Sequence, residues 1–234
     1  MIPWEQLDAA PAPGGKHDLR LFRRGQEFSI RLGHNELMNS RLSGSEKALA
    51  TLSCGRIAAR KTPKVLIGGL GMGFTLGAAL KSLPADAMVV VAELVPSVVA
   101  WARGPMAEIF GGSLDDPRVE IIVEDVARVI ERGGWDAIML DVDNGPEAMT
   151  STGNDDLYGE YGLGIARAAL KGGGVLAVWS QGPDKAFAKR LHFAGFKVED
   201  HRVYASDSGK GARHVIWLAT KTDVPERGAP RKRR

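Results

Sequence analysis

Thirteen residues constrain this chain most: Lys64-Val65-Leu66-Ile67-Gly68-Gly69-Leu70-Gly71-Met72-Gly73-Phe74-Thr75-Leu76. Val65-Leu66-Ile67 is the short aliphatic run of a buried parallel strand. Four glycines follow within six residues, and Thr75 to Leu83 then reads as a helix. A strand, a glycine turn and a helix start make the front of a nucleotide-binding βα unit. The glycines permit the tight turn and let a ligand's sugar approach the backbone. A plain glycine-rich connection is the alternative. The dinucleotide spacing G-x-G-x-x-G would need glycine at 74, where Phe74 stands. The chain offers Gly69-x-Gly71-x-Gly73, a spacing more usual for S-adenosylmethionine, which has no pyrophosphate to seat on the helix. A NAD-dependent oxidoreductase is thereby disfavoured.

Around this unit the chain divides into four parts. Residues 1–20 carry three prolines and Gly14-Gly15 and read as an irregular N-terminus. Residues 21–62 read as a short β region and a helix. Two strands flank the turn Gly25-Gln26, a third covers Glu36 to Ser40, and Ser43-Gly44-Ser45-Glu46 has the form of a capping box. Residues 63–220 alternate strand and helix: strands at 88–93, 119–123, 136–141 and 174–179, helices at 96–102, 126–131, 157–170 and 184–194, then two β runs at 197–204 and 213–220. Five βα units ending in a hairpin predict an α/β fold with a seven-stranded, mostly parallel sheet and helices on both faces. Residues 221–234 read as a basic, disordered tail.

The net charge of +3 is concentrated in that tail. Six basic and two acidic residues between Lys221 and Arg234 leave the other 220 residues at −1. The basic pI therefore carries no implication of nucleic-acid binding by the folded body. Arg231-Lys232-Arg233-Arg234 reads as a solvated end, with weak contact to an anion such as nucleic acid as the alternative. No apolar run is long enough to span a membrane. Cys54 is the only cysteine, which rules out an intrachain disulfide or a cysteine metal cluster and fits a reducing cytoplasm. The five histidines are scattered without metal-ligand spacing, so no metal is expected.

In a parallel α/β sheet, ligands bind outside the carboxyl ends of the strands. Glu93 ends the second parallel strand, where a carboxylate can accept both ribose hydroxyls of a nucleoside. Asp125 follows the third, as an acceptor for an adenine amino group or as a helix N-cap. Asp141 and Asp143 end the fourth, where a transferred group would meet its acceptor. Carboxylates there attract a cationic amine and a sulfonium and can take the amine's proton. Tyr158 and Tyr161 start the next helix, to wall an acceptor pocket or simply to pack. Trp179 and Trp217 read as core.

These motifs, in this order, resemble the spermidine synthase (polyamine aminopropyltransferase) family, built on the S-adenosylmethionine-methyltransferase fold, from about Gly25 to Lys221. The glycine loop resembles the family's V-L-I-I-G-G-G-D-G-G-T-L, Asp116-Pro117-Arg118-Val119 its D-P-R-V, and Glu124-Asp125 its adenine-contacting G-D. Asp136 to Asp143 resembles the catalytic Y-D-V-I-I-x-D-S-x-D-P, and Gly172 to Val178 the P-G-G-I-L-V-V, with Gln181 near a family glutamine. Met72 replaces the family's loop aspartate, which resembles a clamp for the propylamine ammonium of decarboxylated S-adenosylmethionine. Gly44-Ser45-Glu46 stands for Y-H-E and Glu36 for a glutamine.

The resemblance implies donor binding by Gly69, Gly71, Gly73, Glu93, Asp125 and Asp141, with Asp141 orienting the reactants, Asp143 as base, and a homodimer. The expected function is transfer of an aminopropyl or methyl group from decarboxylated or intact S-adenosylmethionine to a small acceptor, an amine. A methyltransferase with another acceptor and a non-catalytic nucleoside-binding scaffold are the alternatives. Of these, Met72 favours methyl transfer, because it removes a charge that would repel the carboxylate of the intact donor.

Overall fold

Val65 and Ile67 point to one side of the sheet and Leu66 to the other, and all three are fully buried, so the strand that carries them has helices on both faces. The computed structural model describes residues 2–12, 17–142 and 157–222. After an N-terminal sheet of β1 (Glu5–Pro11), β2 (Asp18–Arg24), β3 (Glu27–Leu32) and β4 (Asn35–Asn39), the chain forms α1 (Gly44–Arg56), β5 (Lys64–Gly68), α2 (Phe74–Ser82), β6 (Met88–Glu93), α3 (Pro96–Arg103), α4 (Ala107–Phe110), β7 (Val119–Val123), α5 (Val126–Glu131) and β8 (Trp135–Leu140). It ends with α6 (Glu160–Ala169), β9 (Leu170–Ser180), α7 (Lys185–Phe193), β10 (Phe196–Tyr204) and β11 (Arg213–Lys221).

The main sheet has seven strands in the order β10-β11-β9-β8-β5-β6-β7. β6, β5, β8 and β9 pair in parallel, as do β6 and β7, while β11 runs antiparallel between β9 and β10. One face buries Val65, Ile67, Met139 and Ala177 against α1, α2 and α3. The other buries Leu66, Ile138 and Val178 against α5, α6 and α7. Full burial of each such aliphatic side chain contributes roughly 1.5–3 kcal/mol. This is the mostly parallel α/β sheet that the strand pattern predicts.

Two charged motifs fasten the sheet at the amino ends of its parallel strands. Asp136, 1% exposed, accepts the Lys64 backbone N–H at 2.9 Å and the Lys171 ammonium at 2.6 Å, tying together the starts of β5, β8 and β9. In Asp116-Pro117-Arg118-Val119, the Arg118 guanidinium grips both oxygens of Asp116 at 2.8–2.9 Å and also donates to the carbonyls of Leu83 and Pro84. The guanidinium holds the Asp116 carboxyl down to about 2. D-P-R-V therefore acts here as a structural clasp ahead of β7.

Three expectations are corrected. Glu5–Pro11, expected to be irregular, is a strand: its backbone pairs with β2 from Glu5↔Arg23 to Pro11↔Asp18, although only Ala10 of its side chains is buried. The capping box does not form. Ser43 is the N-cap residue of α1 without a side-chain cap, its hydroxyl donating instead to Asp207, and Glu46 accepts from Ser45. Lys221, assigned to the tail, is the last residue of β11. Thr222 follows it, its hydroxyl directed to the Gly195 carbonyl, and residues 223–234 of the basic tail lie outside the described residues.

Candidate active site

The glycine loop emerges at the carboxyl end of β5 and is held from two sides. Gly69 N–H donates to Ala92 O at the end of β6. The Glu93 carboxylate, 8% exposed, accepts Leu70 N–H through Oε2 and Val95 N–H through Oε1, both at 2.9 Å. A carboxylate thus fixes the loop to the β6–α3 turn. Gly69, Gly71 and Gly73 all have positive φ, at 87°, 49° and 77°. A Cβ on Gly69 would lie 3.0 Å from the Asp141 carbonyl oxygen, and one on Gly73 only 2.3 Å from the Phe110 ring. Glycine is required at both places by conformation and by close approach together.

Beside the loop lies a cavity of about 90 Å³, lined by Met38, Glu46, Met72, Thr75, Asp141 and Trp179 along with the loop backbone. Asp141 follows β8, its backbone N–H bonded to Gly68 O. Its Oδ2 accepts from the Thr75 hydroxyl at 3.1 Å, and the same hydroxyl lies 3.5 Å from the Glu46 carbonyl. Burial, followed by repulsion from Glu46, pushes the Asp141 carboxyl up to about 7, against a smaller lowering by Thr75. Burial likewise raises Glu46, with repulsion from Asp207 adding and the Ser45 hydroxyl and Lys47 opposing. Two carboxylates at one thioether- and indole-lined cavity repel each other and favour a cation between them.

Of the expected site residues, the structure gathers Gly69, Gly71, Gly73 and Asp141 at this cavity, with Glu93 directly beneath the loop. Asp125 is exposed, and its Oδ1 accepts Ala127 N–H at 2.9 Å, the N-cap of α5. Asp143 lies outside the described residues. Tyr158 is buried in the opposite core, edge-on to Phe187, and Tyr161 is exposed, so neither lines the cavity. Glu36 is engaged by Ser29, Asn39 and Arg41 within the N-terminal sheet. Sequence reasoning did not single out Glu46 or Thr75 for the site, and it assigned Trp179 to the core. Trp179 is instead half-buried, lines the cavity and meets His214 edge-on at 4.6 Å. For Thr75 a signal existed, its position in the first turn of the helix that follows the glycines.

Among the described residues no group of three His, Cys, Asp or Glu side chains is arranged to hold a metal, and no helix is long and apolar enough to cross a membrane. Cys54 is a buried free thiol, its ionisation pushed up to about 12 by burial, and is unsuited to nucleophilic chemistry.

No family model matches the chain. It is 27% identical over 171 residues to the polyamine aminopropyltransferase of Mycobacterium tuberculosis (strain ATCC 25618 / H37Rv), covering 68% of this chain and 31% of that protein. It is 31% identical over 158 residues to the polyamine aminopropyltransferase of Korarchaeum cryptofilum, covering 67% of this chain and 44% of that one. The chain thus spans less than half the length of these relatives. Spermidine synthase from Thermotoga maritima superposes with a TM-score of 0.72 at 20% identity, over 94% of this chain and 74% of that one. A spermidine synthase in complex with the transition-state analogue AdoDATO superposes equally well.

Proposed function

We propose that this chain, a relative of the polyamine aminopropyltransferases with the spermidine-synthase fold, moves an aminopropyl group from decarboxylated S-adenosylmethionine to a small amine. The observation that carries this reading is the pair Glu46 and Asp141, two carboxylates at one small cavity beside the glycine loop. The decarboxylated donor brings a sulfonium and an ammonium and no carboxylate, and a polyamine acceptor is also cationic. Intact S-adenosylmethionine carries a carboxylate that this pair repels. Methyl transfer from the intact donor is the second reading, favoured by Met72 in place of an acidic residue. A scaffold that binds the nucleoside without turnover would bind donor and transfer nothing.

In the proposed reaction a neutral amine attacks the carbon next to the sulfonium in line. A C–N bond forms, the C–S bond breaks, and a thioether leaves. Gly69, Gly71 and Gly73 shape the loop around the donor. Glu93 accepts its ribose hydroxyls as well as the loop amides, a carboxylate offering about four acceptor positions. Asp125 keeps an oxygen for the adenine amino group, Asp141 orients the reactants, and Asp143 remains the base implied by the resemblance. Holding both reactants in line can supply on the order of 7–11 kcal/mol, so little further machinery is required. Assembly as a homodimer belongs to the same reading and is checked by sedimentation.

The test is incubation with each donor and a mixture of di- and triamines, followed by mass spectrometry. An aminopropylated amine from the decarboxylated donor is expected. A methylated product, or none, would overturn the reading. Glu93→Ala is expected to weaken donor binding by about 1.5–3 kcal/mol, the scale of hydrogen bonds to a charged group. Calorimetry showing unchanged affinity would remove Glu93 from the donor site and leave it only its hold on the loop.

A further inference from the structure

A hydrogen-bonded chain leads away from the cavity through α1 into β11. Ser45, 1% exposed, donates its hydroxyl to Glu46 Oε2 at 2.7 Å, and Ser45 Oγ lies 3.0 Å from His214 Nδ1. A hydroxyl has one proton. While Glu46 is ionised and takes that proton, His214 must donate to Ser45 from a protonated Nδ1. When Glu46 is protonated, every bond in the chain can reverse, with Glu46 donating to Ser45 and Ser45 donating to an unprotonated Nδ1.

The close approach that allows this is set by Gly44, whose N–H bonds Ala205 O at 2.8 Å. A Cβ there would lie 2.7–2.8 Å from backbone atoms of Tyr204 and Ser206. Only glycine lets the β10–β11 hairpin reach the start of α1 this closely. The Trp179 ring holds the imidazole edge-on.

We propose that Ser45 and His214 form a proton relay that empties Glu46 during turnover, an inference that rests on the transferase reading above. Before attack an acceptor ammonium gives a proton to the Glu46 carboxylate, Asp143 being left the proton released once the C–N bond has formed: an N–H bond breaks, an O–H bond forms, and the amine lone pair becomes available. With Glu46 protonated, His214 exchanges its Nδ1 proton for one on Nε2 through water, Ser45 turns its hydroxyl to the freed Nδ1, and Glu46 passes its proton to Ser45 Oγ as the serine proton moves to Nδ1. Glu46 is again ionised, Ser45 is unchanged, and His214 is an imidazolium that loses its Nε2 proton to water. No electrons are exchanged.

Burial acts on both ends of the relay. The groups facing Glu46 are Asp141 after β8, Asp207 in the β10–β11 turn, and Lys47 and Ser45 on its own helix. Around His214 stand Ser45 and Trp179. Burial raises Glu46 and lowers His214, bringing donor and acceptor affinities closer together.

The test combines nitrogen-15 NMR of the histidines with turnover across pH 6–9. In the wild type the His214 titration is expected to show two coupled steps that collapse to one in Glu46→Gln and in Ser45→Ala. His214→Asn keeps an N–H toward Ser45 but has no site for a second proton. A merely structural histidine would tolerate it, whereas the relay requires kcat to fall about tenfold or more with donor KM unchanged. An His214 titration unaffected by Glu46→Gln, or wild-type kcat in His214→Asn across the profile, would overturn the relay alone. A wild type that binds no sulfonium donor in calorimetry would overturn the transferase reading and the relay's role with it.

Discussion

Replacing Gly73 with alanine is expected to lower the unfolding free energy by about 3–4 kcal/mol, a large share of a typical domain's total stability. Two effects add. Gly73 sits at φ 77° and ψ 8° as the N-cap of α2, a left-handed conformation that costs an L-residue about 1–2 kcal/mol. Its new methyl would lie 2.3 Å from Phe110 Cε1 and 2.5 Å from Cδ1, and Phe110 is a rigid ring that is 6% exposed. Overpacking of this kind typically costs about 1–3 kcal/mol. Gly77, three residues into the same helix, is the internal comparison: it has open space around a Cβ, and Gly77→Ala should stabilise by roughly 0.5–1 kcal/mol. Urea unfolding of the two variants measures both. A loss below about 1 kcal/mol at Gly73 would mean that Phe110 can move aside, and the loop would then be less constrained than its dihedrals imply.

The stability of the ligand-free protein should fall as pH rises from about 4 to about 7 through Asp141. The folded carboxyl titrates at about 7 and an unperturbed one at 3.8. Below the lower value both folded and unfolded forms are protonated, and the full stability is present. Between the two values the unfolded chain ionises freely while the folded chain must hold its proton or ionise beside Glu46 in a desolvated cavity, so stability declines. Above about 7 the decline ends. Three pH units at about 1.4 kcal/mol each set an upper limit of about 4 kcal/mol. Asp141→Asn has no such titration. The difference in unfolding free energy, variant minus wild type, should therefore become more positive by up to this amount between pH 4 and pH 8. Equal differences at the two pH values would show that the carboxyl is well solvated. A bound cation reverses the effect by stabilising the ionised pair, so affinity for a sulfonium donor or a diamine should increase towards pH 7.

Sequence alone determined what depends on neighbours along the chain. The aliphatic run before the glycines specifies β5, and the alternation of strand and helix specifies the parallel sheet. Because ligands collect at strand ends in such sheets, the glycine loop, Glu93 and Asp141 could be placed near a site. Only the tertiary structure decided which side chains share the cavity. Ser43 to Glu46 has the local form of a capping box, yet packing of α1 against α2 and the β10–β11 hairpin turns Ser43 to Asp207, Ser45 to His214 and Glu46 to the cavity. Trp179 and His214 meet because β9 and β11 pair antiparallel, a contact with no local signature. The strand Glu5–Pro11 escaped notice for the same reason: its mostly exposed side chains give no alternation, and backbone pairing with β2 alone makes it a strand. Local dihedral preference and hydrophobic periodicity are written in consecutive residues. The protonation state of Glu46 and Asp141 is set by water exclusion and by charges from distant segments, and these exist only once the chain has folded.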